Sequence, residues 1–263
     1  MRDPRKLRKL AKRPESKYWV GVLFLVILVY FLFSDGDFSF FLTLSAMVQM
    51  TSILALSFQV KNSVEGVSFY TALFFSCIYS ARLSSILVFE GYLPFDSSGD
   101  WFYQLVEIVN LTACVWVAYE LRNAQEDPNT LYLGLPPALL ALFGHSTLNN
   151  FYLTDLMWSL SMYLEAVALI PISRMLKKSI DLENFSSHFL AAQTIARVLS
   201  FIFWIKSYTE LNIVYSEQPL NFLGGYSGYF TLLSELVACY FTGDFLFYYL
   251  KSAVLGTPMS LPL

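Results

Sequence analysis

The chain has 263 residues, of which 56% are hydrophobic and only 14% are charged. Soluble domains carry about 25% charged residues, so this composition argues against a water-soluble globule, and a mean hydropathy of +0.52 predicts a polytopic membrane protein. The three cysteines Cys77, Cys114 and Cys239 lie far apart in apolar runs with no C-x-x-C pattern. We therefore expect buried free thiols, not a disulfide framework or a zinc ribbon.

Eight apolar segments approach the roughly 20 residues that a helix needs to cross a bilayer core of about 30 Å. The first is not typical of a signal peptide, because its flank is long and basic and SDGD at 34–37 offers no cleavage site. The sequence thus predicts an all-α membrane protein with eight transmembrane helices, of which the first and fifth are the weakest. These predicted spans are residues 18–34, 38–60, 67–89, 101–121, 131–147, 155–173, 187–208 and 228–250.

The positive charges predict the orientation of the spans. Eight of the 17 Lys and Arg residues fall in the tail of residues 1–17. If that tail lies on the cytoplasmic or matrix side, 14 positive charges lie inside and only Lys206 lies outside. The remaining two, Arg82 and Arg197, lie within predicted spans. This asymmetry follows the positive-inside rule only for an even number of helices, so we expect both termini inside. The inside charges beyond the tail are Lys61, Arg122, Arg174, Lys177, Lys178 and Lys251.

Six ionisable residues lie within predicted spans, and each costs roughly 2.5–3.5 kcal/mol near a helix centre unless it is paired or hydrated. They should therefore face the interior of the bundle. Glu165 and Arg197 fall at mid-depth of sequential antiparallel helices, so we expect them to pair, either for function or only to fix helix register. The six are Arg82, Glu107, Glu165, Arg197, Glu235 and Asp244.

Arg82, Glu107 and Glu235 are predicted to form an outer pocket with Lys206 nearby, close to neutral or mildly negative. Trp158 and Trp204 lie near the same surface and are interpreted as belt residues at the membrane interface in preference to ligand platforms. Asp244 stands alone in the inner half of the last span, and an unpaired intramembrane carboxylate is a functional lead.

Patterns typical of catalysis are missing from the sequence. GGYSG at 224–228 does not fit G-x-S-x-G, and His145 and His188 lack metal-ligand spacing, so both are interpreted as hydrogen-bonding residues at helix ends. The sequence predicts a non-catalytic protein without a cofactor or metal. The basic tail lacks interleaved aromatic residues, so we expect it to bind anionic lipid and no nucleic acid.

The C-terminal half resembles the KDEL receptor family, the ER lumen protein-retaining receptors. The resemblance is carried by WSLSMYLEAVALIP at 158–171, SSHFLAAQTIARVLSFIFW at 186–204 and GDFLFYYLKSAVLGTPMSLP at 243–262. It extends to residues 38–263 through GVSFYTALFFSCIYSAR at 66–82. The extra first helix at 18–34 is most similar to the eight-helix, plant-type relatives of these receptors.

The resemblance implies a seven-helix domain over residues 38–263 with two three-helix repeats around one linking helix (3+1+3), as in SWEET transporters, and a ligand cavity near mid-membrane. By resemblance, Arg82, Trp158 and Glu165 match ligand-cavity residues. Arg197 matches a structural arginine of the cavity, and Asp244 matches an aspartate needed for receptor traffic.

Several positions depart from the family pattern. Residues 38–60 contain no Arg, Lys or His, so a carboxylate-binding arginine and a pH-sensing histidine of the family have no counterpart. Ser207 stands where a second arginine is expected, beside Lys206, whose ammonium is a point charge and not a bidentate fork. Ala196 replaces a cavity Tyr, Phe203 replaces an Asn, and Ile172 follows Pro171 where the family has Gln. These departures predict that peptides ending in KDEL or HDEL are not bound.

Three functions remain open from the sequence. The first is a non-catalytic accessory subunit of a larger membrane assembly, such as a mitochondrial respiratory complex, with other membrane subunits as partners. The second is a divergent cargo receptor of the ER and Golgi that reads an ER-retention sequence, and the third is a small-solute transporter of SWEET-like fold. The compartment is ER or Golgi by family resemblance, with the mitochondrial inner membrane as the alternative.

Overall fold

The structure, a computed structural model, describes residues 24, 28, 39–64, 66–89, 100–149, 151–178, 185–214 and 216–255. The basic tail, the C-terminal residues 256–263 and the predicted first span, apart from Phe24 and Leu28, lie outside the described residues. Within the described ranges the regular structure is helical. The α-helices are α1 (Ser39–Val60), α2 (Phe69–Ile86), α3 (Asp100–Glu120), α4 (Leu135–Phe143), α5 (Tyr152–Ala168), α6 (Ile170–Lys178), α7 (Phe185–Ser207) and α8 (Ser227–Leu255), with 3-10 helices at Pro128–Gly134, Tyr208–Asn212 and Gly224–Tyr226.

The prediction of an all-α membrane protein is confirmed. Five described helical segments are long and apolar enough to cross a membrane. α2 is a further helix of 18 residues, made less apolar by four serines and Arg82. The five segments are Ser39–Val60, Trp101–Glu120, Tyr152–Lys177, Phe185–Asn212 and Gly224–Ser252.

The fifth predicted span, residues 131–147, is not one transmembrane helix. It begins as the 3-10 helix Pro128–Gly134 and continues as the nine-residue helix α4, with Pro at its first positions. Proline lacks a backbone N–H and starts a helix more readily than it continues one. The sixth predicted span, by contrast, is longer than expected, because α6 continues α5 after Leu169 as far as Lys178.

The long helices pack in a closed ring, and the buried apolar residues among the described ranges form three clusters within it. α1, α2 and α3 form a first triplet in which α3 packs against both α1 and α2, and α5, α7 and α8 form a second in which α8 packs against both α5 and α7. The ring closes through α1 against α7 and α2 against α5. In both triplets, therefore, the third helix along the chain packs between the first and the second. The short helix α4 lies between the two triplets in the sequence.

The α2 helix illustrates how the loops fix the ends of the bundle. Ser68 is its N-cap, and the Ser68 hydroxyl accepts a hydrogen bond from the Thr71 N–H at 3.3 Å. The carboxylate of Glu126, from the loop after α3, accepts from both the Ser68 hydroxyl and the Phe69 N–H. A carboxylate at a helix N-terminus is favoured by the helix dipole, so this contact ties the loop to the start of α2.

The cysteines are free, but the expectation that all three are buried is wrong. Cys114 is buried, Cys239 is half-buried and Cys77 is exposed. Cys77 lies on the outer face of α2. A free thiol behaves as a small apolar group, so it is compatible with the apolar outer surface of a helix in a membrane protein.

Candidate functional site: a buried chain of ion pairs

Five charged side chains meet in the centre of the helix ring. Glu165 on α5 lies between two guanidiniums: its Oε1 accepts from Arg82 Nη2 at 2.5 Å, and its Oε2 accepts from Arg197 Nη1. Arg82 Nη1 also pairs with Glu107 Oε1 at 3.0 Å, and Arg197 Nη1 lies 3.7 Å from Glu235 Oε1. All five side chains are at most 5% exposed. We call this set the ion-pair cluster.

The ion-pair cluster follows the packing order of the two triplets. Arg82 and Arg197 lie on the second helix of each triplet, whereas Glu107 and Glu235 lie on the third. Each triplet therefore carries its own Arg–Glu pair. Glu165, on the first helix of the second triplet, joins the two pairs across the ring.

The prediction of a separate outer pocket is wrong. Arg82, Glu107 and Glu235 were expected to face one another, apart from the pair of Glu165 with Arg197. Glu107 does contact Arg82 as expected, but Glu235 lies beside Arg197, and Glu165 contacts both arginines and so joins the two groups into one cluster. Position along a span gives depth only, whereas the rotation of each helix decides which charges meet.

Two other charges were placed in or near the interior and are found outside the cluster. Lys206 is exposed on the last turn of α7. Asp244 is exposed on the surface of α8, so the expectation that every intramembrane charge faces the interior fails there. No other described residue forms an ion pair with Asp244.

Uncharged polar groups that the sequence analysis did not single out complete the cluster. The Ser161 hydroxyl accepts from Arg82 Nε at 3.3 Å, and the Ser200 hydroxyl donates to Glu235 Oε1 at 2.6 Å. Ser161 precedes Glu165 by one helical turn, and Ser200 follows Arg197 by one turn. That spacing places them on the same helix face as the charges and is the signal that would have identified them.

Trp158 and Trp204 are not belt residues at the membrane interface. Both are buried, at 2% and 0% exposure, and their rings contact edge to face with centroids 6.0 Å apart. Trp158 lies seven residues before Glu165 on α5, and Trp204 lies seven residues after Arg197 on α7. Two helical turns correspond to about 10 Å, so the tryptophan pair forms a layer directly outside the cluster.

Helix α1 contributes only uncharged polar groups to this interior. Gln49 Oε1 accepts from the Tyr79 hydroxyl at 3.1 Å, and Gln193 Nε2 donates to the Ser52 hydroxyl at 2.8 Å. The Ser45 hydroxyl donates to the backbone carbonyl of Ala196 at 2.8 Å. The small side chain of Ala196 thus allows α1 to pack directly on α7, where the resemblance implies a cavity tyrosine.

The other departures from the family pattern are also buried. Phe203 packs with Trp204 in the core, and Ile172 is fully buried with its N–H donating to the Thr71 hydroxyl. Ser207 is buried at the end of α7. The positions that would have carried an amide or a guanidinium therefore add packing and not charge to the interior.

A cavity of about 10 Å³ remains beside the cluster, which is room for about one water molecule. Its polar lining comes from Ser45, Gln49, Arg82, Glu107, Asn110, Glu165 and Ser200. Two of the atoms in this lining group, Glu107 Oε2 and Asn110 Oδ1, are buried without a hydrogen-bond partner among the described residues. The same is true of Arg197 Nη2 and Glu235 Oε2.

The two histidines make hydrogen bonds and lie away from the cluster. His145, just after α4, contacts the Ala141 carbonyl at 3.0 Å and the Gln218 side chain at 2.8 Å. Gln218 donates in turn to Asp155 Oδ2, whose second oxygen accepts from the Asn149 N–H. His188, near the start of α7, contacts the Tyr249 hydroxyl at 2.6 Å.

Comparison with known proteins assigns the family. The family model of the ER lumen protein retaining receptor matches residues 63–207, which is more than half of the chain. The chain belongs to this family. The prediction from the sequence motifs is thereby confirmed, and the matched range contains Arg82, Glu107, Glu165 and Arg197.

Curated relatives extend the similarity over most of the chain. The chain is 26% identical over 214 residues to ER lumen protein-retaining receptor 3 of Xenopus tropicalis, covering 80% of this chain and 91% of the relative. It is 25% identical to the ER lumen protein-retaining receptors of Saccharomyces cerevisiae, over 84% of this chain and 98% of the relative, and of Dictyostelium discoideum, over 83% and 97%. These relatives favour the receptor hypothesis over the accessory subunit, which gains no support.

Proposed function

We propose that this protein is a divergent, non-catalytic retention receptor of the ER and Golgi membranes. Membership of the retaining-receptor family and similarity over nearly the full length of several receptors support this role. The ion-pair cluster is its candidate recognition site, because it lies at the centre of the ring where both triplets contribute charges.

We further propose that its ligand is not a peptide ending in KDEL or HDEL. The observation that carries this proposal is the pairing of Glu165 with both guanidiniums. A peptide carboxylate would have to compete with the negative charge of Glu165 at Arg82 and Arg197. The buried tryptophan pair also covers the cluster on one side. A ligand with a cationic or uncharged polar group avoids this competition.

The expected loss of affinity is large. A hydrogen bond to a charged group contributes about 1.5–3 kcal/mol, and two carboxylate-binding arginines of the family have no counterpart in this sequence. Losing two such bonds weakens binding by about two to four orders of magnitude, since 1.4 kcal/mol corresponds to a factor of ten. No imidazole lies within residues 38–60 to strengthen binding in acid.

Peptide titration tests this specificity directly. Fluorescent peptides ending in KDEL and HDEL are titrated into detergent-purified protein at acidic and at neutral pH, with amidated peptides as controls. We expect no measurable binding of either form. Micromolar affinity that strengthens at the lower pH and needs the free carboxylate would contradict the proposed specificity.

The retention function is tested in cells. Depleting the protein should increase secretion of luminal proteins that do not end in KDEL or HDEL, and should leave an HDEL-tagged reporter in place. Tagged protein should fractionate with ER and Golgi markers. An unchanged secretome, together with stable co-purification of one membrane complex, would instead support the accessory subunit.

We propose eight membrane crossings with both termini in the cytosol. The Pro128–Gly134 and α4 segments together would be about 27 Å long, from about 2.0 Å per residue in a 3-10 helix and 1.5 Å in an α-helix, close to the bilayer core. The combined segment starts close in sequence to Glu126, which contacts the beginning of α2. It ends close to Asn149, whose side chain contacts Ser85 at the other end of α2. This placement supports a crossing despite the broken helix.

A further inference from the structure

The charges of the ion-pair cluster do not balance. Among the described residues it contains three carboxylates and two guanidiniums, all buried. A buried charge without a partner is very costly, and a buried acid usually becomes neutral instead. One of Glu107, Glu165 and Glu235 therefore needs an additional positive charge.

The hydrogen bonds identify which carboxylate needs it. Glu165 accepts from both arginines, so its ionised form is well satisfied. Glu235 accepts from Ser200, and its open Oε2 is matched by an open donor, Arg197 Nη2, in the same half of the cluster. Arg197 Nη1 and Glu235 Oε1 already lie 3.7 Å apart. A small rotation of either side chain can therefore bring the open Nη2 and Oε2 atoms together as well.

Glu107 is different because the other open atom in the lining of its cavity is an acceptor and not a donor. Glu107 Oε2 and Asn110 Oδ1 both lack a donor, and both residues line the same small cavity. They are three residues apart on α3, which places them side by side on one helix face. A proton on Glu107 Oε2 would donate to Asn110 Oδ1, satisfying both atoms and removing the surplus charge. A bridging water, or a flip of the Asn110 amide that turns its Nδ2 toward Glu107, could also satisfy Glu107 Oε2, but either would leave that charge.

We propose that Glu107 is a proton-binding site that holds one exchangeable proton in the folded protein, with Asn110 as its hydrogen-bond acceptor. The ionisable groups near Glu107 come from α2, α3, α5 and α7, whereas α1 presents only the uncharged polar side chains of Ser45 and Gln49 to the shared cavity. These ionisable groups are Arg82 and Tyr79 on α2, Cys114 on α3, Glu165 on α5 and Arg197 on α7. Glu235 on α8 lies further away, beside Arg197. The proposal does not depend on the receptor function.

Infrared spectroscopy of the purified full-length protein tests the assignment. Exposed carboxyl groups are ionised at neutral pH, so a protonated acid gives a separate C=O stretching band. We expect this band in the wild type, its loss in Glu107→Gln and its persistence in Glu235→Gln, the matched control from the other triplet. In Asn110→Leu the band should remain and move to higher frequency, because the acid loses its acceptor.

Several results would overturn the proposal. Absence of the band in the wild type at neutral pH would show that all three carboxylates are ionised. Loss of the band in Glu235→Gln but not in Glu107→Gln would place the proton on the other triplet. An unshifted band in Asn110→Leu would remove Asn110 as the acceptor. Because the wild-type and Asn110→Leu spectra do not require Glu107→Gln to fold, the test stands if that variant is unstable.

Discussion

The most informative perturbation of the fold is Glu165→Gln, because this single carboxylate joins both halves of the ion-pair cluster. The substitution keeps the shape of the side chain and removes the charge that faces Arg82 and Arg197. Two charge-assisted hydrogen bonds contribute about 3–6 kcal/mol, and breaking a buried ion pair costs about 3–5 kcal/mol. Glu235 remains as a partner for Arg197, and Glu107 can release its proton and pair fully with Arg82, so we expect about 3 kcal/mol, the lower end of that range.

A double-mutant cycle separates this effect from general damage to the core. Adding Arg197→Met to Glu165→Gln removes one of the two guanidiniums left without Glu165, so the double variant should recover about 1 kcal/mol of the loss. The free energy of unfolding is measured in mixed micelles from the fluorescence of the buried Trp158 and Trp204. Glu120→Gln, the same change at an exposed end of α3, is the control and should shift the free energy by less than about 0.5 kcal/mol.

The outcome that contradicts this reasoning is additivity. If the losses from Glu165→Gln and Arg197→Met simply add in the double variant, the two side chains are not coupled. The observed pairing would then make no net contribution to stability, as happens when desolvation offsets the attraction of a buried ion pair.

Three further predictions concern the ends of the bundle. Protease should cleave tags at the two termini from the same side of sealed membranes, and cleavage from opposite sides would contradict the even number of crossings. Asp155→Ala should lower the free energy of unfolding by about 2 kcal/mol, because the buried carboxylate accepts from the Asn149 N–H and the Gln218 amide. A loss below about 0.5 kcal/mol would show that these hydrogen bonds do not stabilise the fold. Gly228→Ala should cost about 1–3 kcal/mol and lower the yield of monodisperse protein, because a Cβ there meets the Tyr208 backbone carbonyl, and an unchanged yield and melting temperature would contradict this close approach.

The sequence by itself predicted the class of protein and its family. Composition and hydropathy are sums over local residues, so they identify apolar helices without knowledge of their neighbours. The cost of burying charge in a bilayer also predicted that Arg82, Glu107, Glu165, Arg197 and Glu235 face the interior. The motif around Glu165 was specific enough to indicate the receptor family before any comparison.

The partners of those charges were decided by the tertiary structure alone. Position along a helix predicts depth, but the rotation of each helix and its choice of neighbours depend on packing over the whole ring. The sequence therefore grouped Glu235 with Arg82, whereas the structure places it beside Arg197. For the same reason Trp158 and Trp204 were assigned to the interface although they are buried, and Asp244 was assigned to the interior although it is exposed.

The open hydrogen-bonding atoms likewise have no signature in the sequence. Glu107 and Asn110 are ordinary members of an apolar helix until α3 packs against α1 and α2 and removes both side chains from bulk solvent. Hydrogen-bond satisfaction depends on which donors the neighbouring helices bring within about 3 Å, and that is a property of the assembled ring. The sequence supplied the charges of the site, and the packing of the helices decided how they are paired and where one positive charge is missing.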